Sequence, residues 1–346
     1  MIRRPILLLL AAAAAVALGA CGAKQEPATT TPAAQKLRLM LDYFPNADHA
    51  GLYAAQATGE FRKAGLDVDI ETPSDPAAPL KLLAAGKVDL AISYEPELLL
   101  ARDKGLKLVA VGALVQKPLT SIISIGKKAI RTPAELRGKT VGTAGIPYQS
   151  AYLKAILDKA GIPSSSVKEV NVGFNLVPAM TSKRVDATLG AFWNYEGIQL
   201  AQQHKDPQII RMERAGVPTY DELIVVARER DLGKGGERVR RFMRALARGT
   251  AALRSDPDLG VDPLLNANRD LDRRLQEASV KATLPVFFPA DRTKPYGWQD
   301  PAEWAAYGQW MFENRLLRTP PVTAKELTNE FLPGQGVASD STAPGG

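Results

Sequence analysis

Apolar side chains recur along this chain with two different periods. Short runs from Leu37 to Leu41, Leu66 to Glu71, Val88 to Ile92, Leu106 to Val111, Thr140 to Thr143, Val167 to Val172 and Val185 to Leu189 predict strands. Between them apolar positions fall three and four apart, as along Val239, Phe242, Met243 and Leu246, the spacing of a helix face turned to a core. Strands alternating with helices predict an α/β fold. Ahead of the first strand stand Arg3 and Arg4, then an apolar run from Pro5 to Ala17 free of charge, the layout of a secretory leader. Through Ala20 the stretch falls short of the roughly 20 residues a helix needs to cross hydrocarbon, so a permanent membrane span is not expected.

One pattern occurs in two places. Val88-Asp89-Leu90-Ala91-Ile92 follows a helical segment that ends in Gly86 and Lys87, and Val185-Asp186-Ala187-Thr188-Leu189 follows one that ends in Lys183 and Arg184. Each strand runs out into an aromatic and acidic cluster, Ser93-Tyr94-Glu95 in the first and Phe192-Trp193-Asn194-Tyr195-Glu196 in the second. Two lobes of one design would put both clusters at strand carboxyl ends, where open α/β sheets bind ligands. A body of about 300 residues also exceeds what a single core commonly holds. The expected first lobe is residues 36–125 with 223–334, and the expected second lobe is 126–222. In this reading the chain leaves the first lobe after a strand from Ser121 to Ile125 and returns through Leu223 to Ala227, a hinge of two crossovers. Helices from Glu237 to Arg254 and from Pro301 to Leu316 complete the first lobe.

The ends and the charge add to this. Leu18-Gly19-Ala20-Cys21 resembles the lipobox at which bacterial lipoprotein precursors are cut before a diacylated cysteine, and Cys21 is the only cysteine. Residues 1–20 read as a lipoprotein signal peptide, 21–35 as the lipidated cysteine and a small, polar, proline-bearing tether, and 335–346 as a disordered tail. With Cys21 in the anchor, the body keeps no thiol for a disulfide, a nucleophile or a metal. The net charge of +7 becomes +5 without Arg3 and Arg4, a mild excess. Its densest cluster, Arg238, Arg240, Arg241, Arg244 and Arg248, shares a helix with the apolar stripe above and is expected to form the solvated face. Nucleic acid is not an expected partner of an exported chain.

Candidate chemistry collects near the strand ends. Tyr43, Phe44, Trp193 and Tyr195 offer flat faces, Tyr94 sits in the first cluster, and the Glu196 carboxylate can accept hydrogen bonds from a ring amine, a set that suits a flat heteroaromatic. Asn46, Asp48 and His49 stand where the first helix begins. Capping by Asp48 or Asn46 is the plain role there, with Asn46 or His49 also available to a solute. The glycine-bearing turn from Gly142 to Ser150, which includes Tyr148, carries N–H groups able to hold an oxygen. Trp304, Tyr307 and Met311 read as one buried helix face, Trp298 and Trp310 as packing residues, and His204 as exposed. Two distant histidines and a body without cysteine provide no zinc-like ligand set, and neither a Ser-His-Asp order nor a Walker-type loop is present.

The segment Leu41 to Leu52, the runs Val172-Gly173-Phe174-Asn175 and Phe192 to Gln199, and the late Thr328-Asn329-Glu330-Phe331-Leu332-Pro333 resemble the binding proteins for thiamin pyrimidine precursors. That family also contains the yeast hydroxymethylpyrimidine synthases and the sulfonate-binding proteins. The resemblance spans roughly residues 36 to 334 and implies a two-lobed periplasmic-binding-protein fold of type II. It further implies a monomer without cofactor, held outside the bacterial cell membrane by its lipid and serving the permease of an ABC transporter. The implied solute is a pyrimidine, formylaminopyrimidine or hydroxymethylpyrimidine, read by a glutamate at the position of Glu196. The synthases use a lysine and a histidine after the Val-Asp strand and a cysteine-rich iron motif. Ser93 and Glu97 stand at those two positions here, so no catalytic role is expected. Riboflavin or another flat solute, and an exported enzyme or sensor on the same fold, remain open alternatives.

Overall fold

The computed structural model describes residues 34–127 and 129–335. The predicted leader, Cys21, nearly all of the tether and residues 336–346 of the predicted tail lie outside the described residues. The described body is α/β and holds ten strands, β1 (Gln35–Met40), β2 (Leu66–Glu71), β3 (Leu90–Ser93), β4 (Leu108–Val115), β5 (Thr120–Ile125), β6 (Thr140–Thr143), β7 (Lys168–Asn171), β8 (Ala187–Phe192), β9 (Pro207–Arg211) and β10 (Leu223–Arg228). Gln35, assigned to the tether by its composition, already opens β1 and pairs with Leu66.

The strands form two five-stranded sheets of one topology, β2-β1-β3-β10-β4 and β7-β6-β8-β5-β9. In each, the first three strands run parallel, and the fourth is antiparallel to both of its neighbours. The repeated Val-Asp pattern has a structural reason. The Asp89 carboxylate accepts the Arg38 N–H of β1 at 2.8 Å, and the Asp186 carboxylate accepts the Thr140 N–H of β6 at 2.8 Å. In both lobes the aspartate thus closes the ladder just before the strand starts, so β3 begins at Leu90 and β8 at Ala187, two residues after each valine.

The antiparallel strand of each sheet is the first one after a crossing. β10 enters the first sheet on the return, and β5 enters the second sheet on the way out. The expected boundary after residue 125 is therefore corrected: the chain has already left the first sheet by residues 116–119, and Thr120–Ile125 pairs with β8 and β9. An apolar run at a boundary fits either lobe, and only its pairing partners decide. The crossovers are tied together by Glu222. Its carboxylate accepts the N–H groups of Leu119 (2.7 Å) and Thr120 (2.8 Å) and the hydroxyls of Thr120 (2.8 Å) and Tyr220 (2.9 Å).

The carboxy-terminal helices pack on the first lobe. The helix Leu232–Ala252 crosses the helix Ala50–Ala57 so closely that a Cβ at Gly249 would lie 2.4 Å from the Ala55 nitrogen, which only glycine permits. Three of its arginines, Arg238, Arg240 and Arg241, depart from the solvated-face expectation, whereas Arg248 is exposed as expected. Arg238 bonds Asp89 and the Lys36 carbonyl, Arg241 bonds Gln35 and the Ala64 carbonyl, Arg248 pairs with Glu60, and Arg240 holds the carbonyls of Glu330 and Gln335. Backbone carbonyls at both ends of the described chain need donors, and this row of guanidinium groups supplies them. On the helix Pro301–Glu313, Trp304, Tyr307 and Met311 are fully buried as expected, and Trp304 donates to Asp221 at 2.7 Å. His204 is exposed. No helix among the described residues is long and apolar enough to cross a membrane.

Candidate functional site

The loops after β1, β3, β6 and β8 meet between the two sheets, at the carboxyl ends of equivalent parallel strands. They enclose a cavity bordered by Asp42, Tyr43, Tyr94, Gln149, Tyr195 and Glu196, with a volume of about 20 Å³, room for one water. A largely apolar cavity of about 230 Å³ adjoins it past Asp42 and Tyr94. A groove of about 580 Å³ opens on the other side past Tyr195 and Glu196, lined by Phe44 and Phe174.

The polar centre is built from both lobes. Asp42, just after β1, accepts the Tyr94 hydroxyl at 2.6 Å and faces His49 Nε2 at 2.8 Å. His49 Nδ1 accepts the Asn46 N–H at 3.3 Å, which puts the ring proton on Nε2, where it donates to Asp42. Across the cavity Glu196 Oε2 accepts the Phe192 N–H at 2.7 Å. Burial raises the Glu196 carboxyl to about 7, against the pull of the Phe192 and Glu196 N–H groups. The Tyr43 hydroxyl is buried without a hydrogen-bond partner among the described residues, and burial followed by the nearby Glu196 charge raises its pKa. A buried hydroxyl beside a carboxylate with a free oxygen marks a place where a polar molecule is held.

Direct contacts join the lobes on both flanks. Asn194 donates to Asp48 and to Thr283, each at 2.6 Å, and Gln276 donates to the Tyr195 hydroxyl at 3.1 Å. On the other flank the Tyr148 N–H, in the first turn of the helix Pro147–Lys159, donates to Glu97 at 3.2 Å, and the hydroxyls of Tyr152 and Tyr307 are bonded. Burial raises the Asp48 carboxyl to about 6 and the Glu97 carboxyl to about 7.

Of the residues singled out from the sequence, Tyr43, Phe44, Asn46, Tyr94, Tyr195 and Glu196 border the cavity or its groove. Asn46 also caps the first turn, accepting the Asp48 N–H at 2.9 Å, and Asp48 is turned to the other lobe instead. His49 is buried behind Asp42 and acts as its partner. Three expectations are corrected. The Trp193 indole donates to the Pro118 carbonyl at 3.0 Å and lies under the Arg211 guanidinium, so it braces a crossover instead of facing the cleft. Tyr148 is packed under Tyr94, with its hydroxyl 3.1 Å from that of Thr120. Asn175 is exposed at the start of a short helix, and its neighbour Phe174 takes the cleft position, 4.7 Å from the Tyr43 ring. In the turn Gly142–Ser150, Gln149 accepts the Ala144 N–H and Glu97 accepts the Tyr148 N–H, so these two donors are not free for a solute. Glu95 faces a crossover and accepts the Asp221 N–H at 2.8 Å.

Sequence reasoning missed Asp42, Gln149 and Phe174. Asp42 and Phe174 adjoin residues that were selected, and one signal for them was position after a parallel strand. Gln149 adjoins Tyr148 in the turn after β6, but nothing in the sequence marked its amide as the group that faces the cavity. It reaches the cavity because Gly190 is the unpaired residue of a bulge in β8, with Ser121 opposite Ala191 and Ile122 opposite Leu189. Gly190 has φ +113°, and a Cβ there would lie 2.2 Å from Gln149 Nε2.

Two hinged α/β lobes with a polar and aromatic cavity at their junction define the fold of periplasmic binding proteins. The alkanesulfonate-binding protein of Xanthomonas axonopodis pv. citri, solved with MOPS bound, superposes with a TM-score of 0.66 at 19% identity, covering 86% of this chain and 98% of its own. By sequence, residues 46–259 match the family model described as NMT1/THI5 like, and the chain belongs to that family. A formylaminopyrimidine-binding protein from Halalkalibacterium halodurans is 34% identical, with 85% of this chain and 90% of the relative aligned. A riboflavin-binding protein from Chloroflexus aurantiacus is 28% identical over 91% and 94%. A 4-amino-5-hydroxymethyl-2-methylpyrimidine phosphate synthase from Legionella pneumophila is 24% identical over 86% and 92%.

Proposed function

We propose that this protein is the extracytoplasmic solute-binding component of an ABC importer and that it captures a thiamin-related aminopyrimidine between its lobes. The observation that carries the reading is the convergence of Glu196, Tyr43, Tyr195 and the phenylalanines 44 and 174 from both lobes on one junction. Aromatic faces suit a flat ring, and a dehydrated carboxylate suits its amine. The relative named for formylaminopyrimidine supports the choice of solute. Because about 150 Å³ accommodates a benzene-sized molecule, a ring enters the 20 Å³ cavity only when the lobes part and the interlobe bonds give way. Binding alone is the activity in this reading, supported by Ser93 and Glu97 at the positions where the resemblance gives the synthases a lysine and a histidine. Anchoring through Cys21 belongs to the same proposal, as does a monomeric state.

A second reading, capture of a larger flat solute such as riboflavin, draws on the 580 Å³ groove beside Glu196 and Phe174. Calorimetric titration of the purified body with hydroxymethylpyrimidine and with riboflavin separates the two. One-to-one pyrimidine binding without turnover is expected; riboflavin binding alone favours the second reading, and conversion of the pyrimidine to a product refutes both.

A further inference from the structure

One Glu196 oxygen, Oε2, already accepts the Phe192 N–H, which leaves Oε1 as the less committed acceptor for a ring edge. A fork of two parallel bonds from a ring amidine to one carboxylate uses both oxygens. With Oε2 already partly committed, a second group beside Glu196 is suited to read the atom next to the amine. Gln149 is placed for that task. It is 1% exposed and borders the same cavity as Glu196 and Tyr43. Its Oε1 accepts the Ala144 N–H at 2.8 Å, which fixes the amide orientation and turns Nε2 the other way. Nε2 carries two hydrogens. The group stands near the Tyr148 hydroxyl and against the bare backbone of Gly190, and one bond to that hydroxyl spends only one of its two hydrogens.

We propose that Gln149 donates to a ring nitrogen of the solute while Glu196 accepts from the neighbouring exocyclic amine, so that the site selects an amine beside an unprotonated ring nitrogen. The inference rests on the pyrimidine reading above and sharpens it. A 4-aminopyrimidine presents donor then acceptor along this edge; its 4-oxo counterpart presents acceptor then donor and meets both groups with the wrong polarity. A flavin's pyrimidinedione edge carries its donor on the ring nitrogen, so it can pair with Glu196 and Gln149 only when shifted by one atom along the edge. Gly190 is what lets the amide lie flat against the strand, which gives the bulge in β8 a function.

The test titrates wild-type protein, Gln149→Glu, Gln149→Met and Glu196→Gln with hydroxymethylpyrimidine and with its 4-oxo analogue. Gln149→Glu keeps an acceptor for the Ala144 N–H and removes the donor; circular dichroism checks that each variant folds. Wild type is expected to prefer the amino compound, and both Gln149 variants to bind it roughly tenfold to a hundredfold more weakly, with the preference reduced or lost. An unchanged preference in folded Gln149 variants, with Glu196→Gln still impaired, overturns the role of Gln149 and leaves the pyrimidine reading standing. Binding of neither compound by wild type overturns both.

Discussion

Glu222 holds the hinge, and its replacement has a cost that can be worked from the contacts. Glu222→Ala strips the buried N–H groups of Leu119 and Thr120 of their acceptor. A buried donor left unpaired costs about 1–3 kcal/mol, so the alanine variant is expected to lose about 2–6 kcal/mol. Glu222→Gln differs, because an amide oxygen at the Oε2 position still serves Leu119, Thr120 and Tyr220, and the amide nitrogen can donate to the Thr120 hydroxyl oxygen. Its loss near pH 5 should be about 1 kcal/mol. Burial raises the Glu222 carboxyl from 4.5 to about 7, against the pull of its four donors. A raised carboxyl favours the folded state fully below its unfolded value, and that contribution disappears as pH climbs through the folded value. Wild type should therefore lose up to about 3 kcal/mol relative to Glu222→Gln between pH 4.5 and pH 8. Urea unfolding followed by tryptophan fluorescence at pH 5 and pH 8 measures both effects. Equal losses in the alanine and glutamine variants, or a glutamine effect independent of pH, would refute the hinge argument.

Other outcomes follow from the cleft. Glu196→Gln should weaken hydroxymethylpyrimidine by about 1–3 kcal/mol in calorimetry, and unchanged affinity would remove Glu196 from the site. Since the carboxyl is raised to about 7, the ionised acceptor is depleted below that pH, and wild-type affinity should fall by up to tenfold per pH unit relative to the glutamine variant. Trp193→Phe should leave affinity within about twofold while costing about 1 kcal/mol of stability, because the indole bonds a crossover carbonyl; a large affinity loss would place the ring in the site after all. Asn194→Ala breaks the link to Asp48 and Thr283, so stopped-flow release of bound pyrimidine should quicken severalfold, and an unaltered release rate would show that this contact does not hold the lobes together.

The α/β class, the repeated lobe design and the position of the ligand-facing loops could be read from the chain, because period and repeat are local properties. The Val-Asp step predicted two equivalent strands, and the structure adds why an aspartate is needed there: it bonds the strand alongside. Tyr43, Tyr195 and Glu196 were legible for a similar reason, since residues following a parallel strand face the carboxyl end of the sheet whatever else surrounds them.

What stayed hidden depended on partners distant in sequence. The lobe that owns β5 is set by pairing with β8 and β9. Arg238, Arg240 and Arg241 of the helix Leu232–Ala252 looked solvated until backbone carbonyls from both ends of the body were brought to them. Trp193 left its expected place in the cleft because it met a crossover carbonyl and an arginine, and Gln149, given no role beforehand, reached the cavity against a glycine bulge. Period and local spacing specify which way a side chain leaves its own strand or helix. Which group it finds there depends on how the other lobe is docked, and that is decided only by the folded whole.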